Sequence, residues 1–180
     1  LAAGLLGCTS SPESGAQAPG LGEAADPVAA RGWQRLYAAA HVHTVHSHDA
    51  CDGQPKPQGQ PDSACIDDLR RGACLAGMDG IFLTDHDDSM ADVAWSRLLE
   101  PLFREGDRYL GPVEAPLGLE ISCADGRRLI FMPGAENTLM SLGQHAHPEA
   151  EDLHALYDGA GEGTVEALQA TGASVVVSHA

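Results

Sequence analysis

Short apolar runs along the chain end in polar side chains that can bind a metal ion. The runs lie within residues 35–40, 80–83, 118–122 and 175–179, and histidine, aspartate or glutamate lies in each of them or within two residues of its end. An apolar run of about four to eight residues, bounded by glycine or charge, is typical of a buried strand. We therefore predict strands at these places, with the polar side chains near their C-terminal ends.

The segments between these strands show the spacing of amphipathic helices. The first predicted helix begins at Asp62 or Ser63, either of which can cap it, and ends at Ala76. Its apolar stripe consists of Ile66, Leu69, Ala73 and Ala76. A second helix is predicted from a capping box over residues 89–92, with a kink at Pro101. Its apolar face consists of Ala94, Leu98 and Leu102.

The order of the elements predicts the fold class. A third, short helix over residues 164–170 leads into the last strand, so that strands and helices alternate along most of the chain. This alternation predicts an α/β fold with parallel strands and right-handed crossovers. Residues 128–132 break the alternation, because they follow the turn at Asp125 and Gly126 and are predicted to pair antiparallel with the strand of Glu120.

The composition predicts one domain with an appendage and favours cations as ligands. Hydrophobic residues make up 43% of the 180 residues, and 26 acidic residues face 10 basic ones, for a net charge of −16. A chain without a basic patch cannot release counterions from a nucleic-acid backbone, so we expect no constitutive nucleic-acid partner. The acidic surplus keeps the surface soluble and suits cation binding.

A dense histidine cluster follows the first predicted strand. Residues 41–49 carry four of the nine histidines of the chain. His41 and His43 are two positions apart at a strand end, so both imidazoles face the same way and can bind one ion. Asp49 adds a carboxylate that is able to bridge two cations. The cluster therefore predicts a metal site.

Three other strand ends carry side chains of the same kind. They are Asp85 and His86 in Thr84-Asp85-His86, Glu120 in Gly118-Leu119-Glu120, and His179 after Ser178. Catalytic groups at the C-terminal ends of parallel strands are the arrangement that a β/α barrel uses.

The motif order His-Xaa-His-Thr, Thr-Asp-His, Gly-Xaa-Glu and a strand-ending His resembles the polymerase and histidinol phosphatase (PHP) domain superfamily over about residues 35–180. The resemblance implies a distorted (β/α)7 TIM-like barrel, of which residues 33–180 would form the N-terminal portion. Members of that superfamily carry a late Asp-Xaa-His motif after the strand-ending histidine, whereas this chain stops at Ala180, one residue after His179, so the barrel is expected to be incomplete at its C-terminus.

The resemblance also implies a metal-dependent phosphoesterase, which hydrolyses a phosphorylated small molecule by metal-activated hydroxide. Two or three divalent ions, zinc, manganese or iron, would be held by His41, His43, Asp49, His86, Glu120 and His179. His48 competes with Asp49, because relatives place the ligand at either offset. The alternative is a surface lipoprotein that binds metal without turnover, with a degenerate PHP domain as an interaction module.

Supporting roles also follow from the resemblance. Asp85 is expected to fix a histidine tautomer or to assist proton transfer, and Thr44 to act similarly. Glu120 is expected to serve the chemistry as well as the metal.

The sequence departs from the pattern of this superfamily at one metal position. Where relatives usually place a metal-binding histidine, this chain has Arg127-Arg128, and guanidinium cannot coordinate a cation. Arg128 is expected to contact a substrate phosphate instead. Either the site holds fewer ions or a histidine swings in from the loop of His145 and His147. We favour surface positions for these two, and for His154.

The N-terminal residues show the pattern of an exported lipoprotein. Residues 1–8 end in Leu5-Leu6-Gly7-Cys8, which looks like a bacterial lipobox left from a signal peptide, with Cys8 as the lipid-anchored residue. Residues 9–32 are rich in Ser, Gly, Ala and Pro and are predicted to be a flexible tether. We therefore expect a lipid-anchored, extracytoplasmic protein of the cell envelope.

In such an oxidising compartment the other cysteines are expected to pair. Cys51 and Cys65 bracket a turn-rich insertion that a disulfide would order, whereas Cys74 is an equal rival for either partner. No pair has the Cys-Xaa-Xaa-Cys spacing of a structural zinc site.

Overall fold

The computed structural model describes residues 34–178. In this range the strands are β1 (Ala38–Val42), β2 (Gly80–Leu83), β3 (Asp85–His86), β4 (Arg108–Leu110), β5 (Gly118–Ser122), β6 (Arg128–Met132), β7 (Gly134–Glu136), β8 (Leu139–Leu142) and β9 (Ser174–Val177). The helices are α1 (Ala50–Gly53), α2 (Ser63–Leu75), α3 (Asp87–Met90), α4 (Leu153–Tyr157) and α5 (Glu162–Ala170). Short 3-10 turns lie at Pro57–Gly59, Trp95–Arg97 and Glu100–Leu102.

The strands form two mixed sheets. The first has the order β1-β2-β6-β5-β4, in which β1, β2 and β6 are parallel while β5 and β4 are antiparallel to their neighbours. The second has the order β3-β7-β8-β9, in which only β3 and β7 are parallel. The predicted α/β class is confirmed, whereas residues 34–178 form no closed barrel.

A seam joins the two sheets. Thr84 alone separates β2 from β3, and Pro133 alone separates β6 from β7, so two parallel neighbours leave the first sheet and enter the second together. Proline suits such a place because it cannot donate to a ladder. Gly134 follows, and a Cβ atom there would clash with the carbonyl oxygen of Ser141 and lie 2.9 Å from that of Leu83. The seam therefore requires a glycine.

Each sheet has its own apolar cluster. The first joins buried residues of β2, β5 and β6, such as Leu119 and Phe131, to Ile66 and Ala73 of α2. The second joins Leu139 and other residues of the second sheet to buried residues of α3, α4 and α5, among them Met90, Tyr157 and Leu168.

Helix α2 confirms the first helix prediction. Asp62 caps it, since its Oδ1 accepts the N–H groups of Ala64 at 2.9 Å and Cys65 at 3.2 Å. The stripe is buried at Ile66 and Ala73, as its spacing predicted.

The second helix prediction is wrong. Helix α3 ends at Met90, and Ala94 has an extended backbone with φ −55° and ψ 135°, so the segment continues as 3-10 turns. Pro101 lacks the N–H group that a continuous helix would need. Leu98 and Leu102 are nevertheless buried, as their spacing predicted.

The remaining elements agree in part. Helix α5 is confirmed and begins at Glu162, two residues before the predicted start, and the antiparallel pairing of β6 with β5 is confirmed. Strand β1 is present but mostly exposed rather than buried, because it is an edge strand. Strand β9 pairs antiparallel with β8, not parallel as the alternation predicted.

Both cysteine pairs of the described region are oxidised. Cys51 pairs with Cys65 and Cys74 with Cys123, each with a Cα–Cα distance of 5.6 Å. The first pair is therefore one of the alternatives that the sequence left open. Cys8, with the predicted lipobox and tether, lies outside the described residues. Among residues 34–178, no helix has the length and apolar character to cross a membrane.

Candidate metal centre

Glu136 brings together the first two histidines of the cluster. Its Oε2 atom lies 2.5 Å from Nε2 of His41 and 2.8 Å from Nε2 of His43. The Glu136 side chain is only 1% exposed. We call these three residues the Glu136 group.

Asp49 forms a second group around the other nitrogen of His43. Asp49 Oδ1 lies 2.9 Å from His43 Nδ1, and its Oδ2 lies 3.4 Å from His86 Nε2. The rings of His43 and His86 are 4.6 Å apart between centroids. We call His43, Asp49 and His86 the Asp49 group; in each group the ligand atoms lie within 4.8 Å of one another.

The strand ends explain why these side chains meet. His86 ends β3 and Glu136 ends β7, and the two residues are direct partners in that parallel pair. His41 lies in β1 and His43 follows it, and the register of β1 against β2 shifts between Ala39 and Val42. Such irregularities re-aim side chains at strand ends. The predicted convergence of His41, His43, Asp49 and His86 is thus present.

A buried carboxylate holds the histidine loop in place. Asp85 accepts the backbone N–H of Thr44 at 2.6 Å and its hydroxyl at 2.8 Å, together with the hydroxyl of Ser47 at 3.1 Å. Ser47 Oγ in turn accepts the N–H of His86 at 2.9 Å. These contacts fix the backbone beside His43 and at His86 but do not include Asp49, so Asp85 acts on the loop. Its predicted action on a histidine ring stays a prediction.

The carboxylates determine the charge state of His43. Burial disfavours the imidazolium, but the hydrogen bonds and negative charges of Glu136 and Asp49 outweigh it, so the pKa of His43 is raised above its ordinary 6.5. Burial acts against the charged form of Asp49 too, yet the hydrogen bond and charge of His43, with those of His86, lower the pKa of Asp49. Without an ion, His43 is therefore held by hydrogen bonds to both carboxylates.

The other two histidines of the cluster differ in environment. His46 is buried, its Nε2 lies 3.0 Å from the carbonyl oxygen of Leu98, and burial lowers its pKa. His48 is exposed and stacks on His86 with ring centroids 5.0 Å apart. Of the two alternatives His48 and Asp49, it is Asp49 that completes a metal-competent group among the described residues.

Glu120 lies elsewhere, in contrast to its prediction as a ligand. Its Oε2 lies 3.1 Å from Nη2 of Arg108 and its Oε1 lies 3.3 Å from Nη1 of Arg128. Strand β5 runs antiparallel to β6, and Glu120 is opposite Ile130 in mid-strand rather than at the edge where β1 and β2 end. No group of metal-competent side chains within residues 34–178 includes it. Contact of Arg128 with a substrate phosphate stays a prediction.

Glu136 is the residue that sequence reasoning missed. A signal for it exists, because Gly134-Ala135-Glu136 repeats the Gly-Xaa-Glu spacing after the apolar run of β6. The same spacing occurs first at Gly118, so spacing alone favours Glu120.

The remaining predicted histidines stand apart from both groups. His145 and His154 are exposed, as predicted, and His154 contacts Asp92. His147 is half-buried rather than on the surface, with its ring nitrogens 3.0 Å from the Tyr157 hydroxyl and 2.8 Å from the Val93 carbonyl oxygen. His179 lies outside the described residues.

Two clefts border the centre. One, of about 220 Å³, is lined by His86, Asp87, Glu136, Asn137 and Thr138. The other, of about 500 Å³, is lined by His43 and by residues of the disulfide loop and α2, including Asp52, Asp62 and Asp68. Neither lining includes a lysine or an arginine of the described chain.

The donor set fits divalent cations. Imidazole nitrogen with carboxylate oxygen is the combination that zinc, manganese and iron bind. A carboxylate as buried as Glu136 needs positive charge or donors to offset its desolvation, and an ion would supply that charge. The predicted metal site is thus supported as a group of ligands, and the identity of the ion stays a prediction.

Comparison with known proteins adds no relative. No protein-family model, no curated protein and no solved structure matches this chain.

Proposed function

We propose that this chain is a metal-dependent phosphoesterase of PHP type. The observation that carries the proposal is the joining of the Glu136 and Asp49 groups through His43 at the ends of β1, β3 and β7. The motif order supports the same family, with Gly134-Ala135-Glu136 in place of the earlier Gly-Xaa-Glu. The proposal includes the distorted barrel of that family, and the parallel pairs β2–β6 and β3–β7 at the seam support it.

The ions would be two or three of zinc, manganese or iron. When bound, they would supply Lewis-acid activation of water and neutralise charge on phosphoryl oxygens. The Glu136 group would hold one ion and the Asp49 group a second, with His179 as a further proposed ligand. We assign to Glu136 the role that the sequence analysis gave to Glu120.

The protein's own residues would fix the geometry of the reaction. Asp85 holds the loop of Thr44 and Ser47, so the imidazoles of His43 and His86 keep their orientation as substrate binds. In the metal-free state Asp49 and Glu136 favour the imidazolium of His43, which has a proton on each ring nitrogen. Both protons would have to leave before each of the two nitrogens could bind a cation.

The test combines metal content with hydrolysis. The full-length protein is loaded with zinc, manganese or iron and assayed against aryl phosphate mono- and diesters. We expect the His41→Ala, His43→Ala double variant to lose both bound metal and hydrolysis, whereas the exposed control His145→Ala keeps both. Full metal occupancy in the double variant would refute the centre.

A metal-binding lipoprotein without turnover is the second candidate. The observation that favours it is the absence of lysine and arginine from both cleft linings along the described chain, because phosphate sites usually include such donors. Metal binding without hydrolysis of any phosphoester tested would select this candidate.

We also propose a lipid-anchored, extracytoplasmic location. The Cys51–Cys65 and Cys74–Cys123 disulfides support an oxidising compartment. Mass spectrometry of the N-terminal peptide should find Cys8 acylated at the mature N-terminus. An unmodified Cys8 in the mature protein would contradict it.

A further inference from the structure

The loop that carries Asp49 has few contacts of its own. Within it, Ala50 N donates to Ser47 O at 3.4 Å and Gln54 N to Cys51 O at 3.1 Å. The Asp49 side chain is 45% exposed, and its contacts in the described chain are with His43 and His86. Packing therefore does little to hold this carboxylate in place.

The backbone just after Asp49 is in a region that side chains disfavour. Cys51 has φ 54° and Asp52 has φ 56°, both in the left-handed region. Residues with a Cβ atom occupy this region at a cost, so two in succession persist only where the surroundings impose them.

The disulfide of Cys51 supplies that constraint. Cys65 lies in the first turn of α2, which is fixed by the Asp62 cap and by the burial of Ile66. The bond thus ties the residue two positions after Asp49 to a rigid helix. No comparable tie is needed for Glu136, which is buried in a strand.

We propose that the Cys51–Cys65 disulfide positions Asp49, so that its reduction weakens the Asp49 group as a metal site and leaves the Glu136 group intact. The inference rests on the metal centre of the proposed function. In the reductive step a water-soluble phosphine and one water molecule cleave the S–S bond. The phosphine gives up two electrons and takes the oxygen of the water to become phosphine oxide. The two sulfurs receive these electrons and the two protons of the water and become thiols.

The second disulfide offers a matched control. Cys74 lies in the last turn of α2 and Cys123 directly follows β5. The cleft beside this bond is lined by residues of α2 and of the end of β5, and includes no member of either metal group.

The test is a cobalt titration of the metal-free, full-length protein. Equilibrium dialysis gives the number of ions, and the visible d–d absorption reports their ligands. The oxidised protein should bind two ions through these groups. In the Cys51→Ser, Cys65→Ser variant the second site, formed by the Asp49 group, should lose about 10–100-fold in affinity, as when a supporting contact is removed. The Cys74→Ser, Cys123→Ser control should keep both sites.

A reversible measurement guards against misfolding of the variants. Phosphine is added to the folded, oxidised protein and removed before titration, and the loss of the second site should reverse on reoxidation with glutathione disulfide. In Asp49→Asn the second site should already be weak, and reduction should change nothing further. The inference would be overturned if Asp49→Asn and reduction lowered the affinity additively, or if both disulfide variants lost the same affinity. It would also be overturned if reduction did not change the affinity of the second site.

The outcome is separable from the test of hydrolysis. A protein that binds two ions with the expected response to reduction, but hydrolyses no phosphoester, refutes the phosphoesterase proposal and supports the positioning role. Hydrolysis with two ions that ignore reduction does the opposite.

Discussion

At the scale of single residues, the environment of each carboxylate separates two glutamates that the sequence presents alike. Both end a Gly-Xaa-Glu motif after or within an apolar strand. Glu136 is buried between two imidazoles, whereas Glu120 contacts two guanidinium groups. Sequence spacing predicted the four converging residues of β1, the loop and β3, but the choice of glutamate depends on strand direction, which a local motif does not encode.

Glu136→Gln should therefore remove a metal ligand. The change keeps the shape but deletes the charge, so cobalt affinity should fall by more than the about 10–100-fold typical of a supporting contact. Glu120→Gln is the matched control and should leave affinity unchanged. Dialysis with elemental analysis measures both. An unchanged Glu136→Gln variant would mean that the carboxylate is a structural partner of the histidines.

The raised pKa of His43 predicts the pH dependence of the metal-free protein. The stabilisation that comes from a raised folded pKa is complete below the unfolded pKa near 6.5, and it is lost as pH rises through the folded pKa. The stabilisation that comes from the lowered pKa of Asp49 is present above its unfolded pKa of 3.8, and it is lost as pH falls through the folded pKa. In chelator, His43 should thus lower the melting temperature from about pH 6 to pH 8, whereas the buried His46, whose pKa is lowered, contributes in the opposite direction.

A pair of variants tests this assignment. His43→Gln should flatten the dependence, and His154→Gln, whose partner Asp92 is exposed, should keep most of it. With metal the trend should reverse, because protons compete with the ion. The same slope in His43→Gln as in the unaltered protein would assign the effect to another group.

At the scale of elements, the sequence predicted best where local signals agree. Helix α2 has a cap and an apolar stripe, and the β5–β6 hairpin has a turn between two apolar runs. The helix prediction for the segment after Met90 is wrong because 3-10 turns also bury leucines that have helical spacing. Their burial was predictable, but not the backbone that achieves it.

Strand β7 depends on the glycine at its start. Gly134→Ala places a methyl group against the backbone oxygens of Ser141 and Leu83, which cannot turn aside as a side chain could. We expect a loss of about 3 kcal/mol, near the upper end for overpacking, with a displaced Glu136 and weaker metal binding. Urea denaturation measures the first effect.

Gly163→Ala is the control for that change. Gly163 lies in α5 with nothing within 4 Å of an added Cβ. This substitution should stabilise the protein by about 0.5 kcal/mol, since alanine is the better helix former. Equal stability of the two variants would show that the seam relaxes around the extra methyl group.

At the scale of the whole molecule, strand and helix order was insufficient to predict topology. Alternation of elements favours parallel strands, but β8 and β9 join as antiparallel neighbours, because the chain turns back directly after β7. Which sheet a strand enters is decided by contacts between segments far apart in sequence, and the seam itself has no local signature beyond Pro133 and Gly134.

The net charge of −16 predicts that salt weakens metal binding. Surface carboxylates attract divalent ions over about a Debye length, which shrinks from about 30 Å at 0.01 M salt to about 8 Å at 0.15 M. Cobalt affinity should fall several-fold over this range. Replacing the exposed Glu114, Glu149 and Glu151 by glutamine should reduce that slope. If these changes left the salt dependence of cobalt affinity unaltered, the salt effect would come from the metal ligands alone.

The seam between the sheets has a consequence for folding. His41 belongs to the five-stranded sheet and Glu136 to the four-stranded one, so an ion held by the Glu136 group fastens the two sheets to each other. A ligand that binds only the native state raises the free energy of unfolding in proportion to the logarithm of its concentration. Loaded molecules would then unfold in one cooperative step, and stripped molecules could lose one sheet before the other. The supply of metal ions, as much as the sequence, would set how many independent folding units this chain contains.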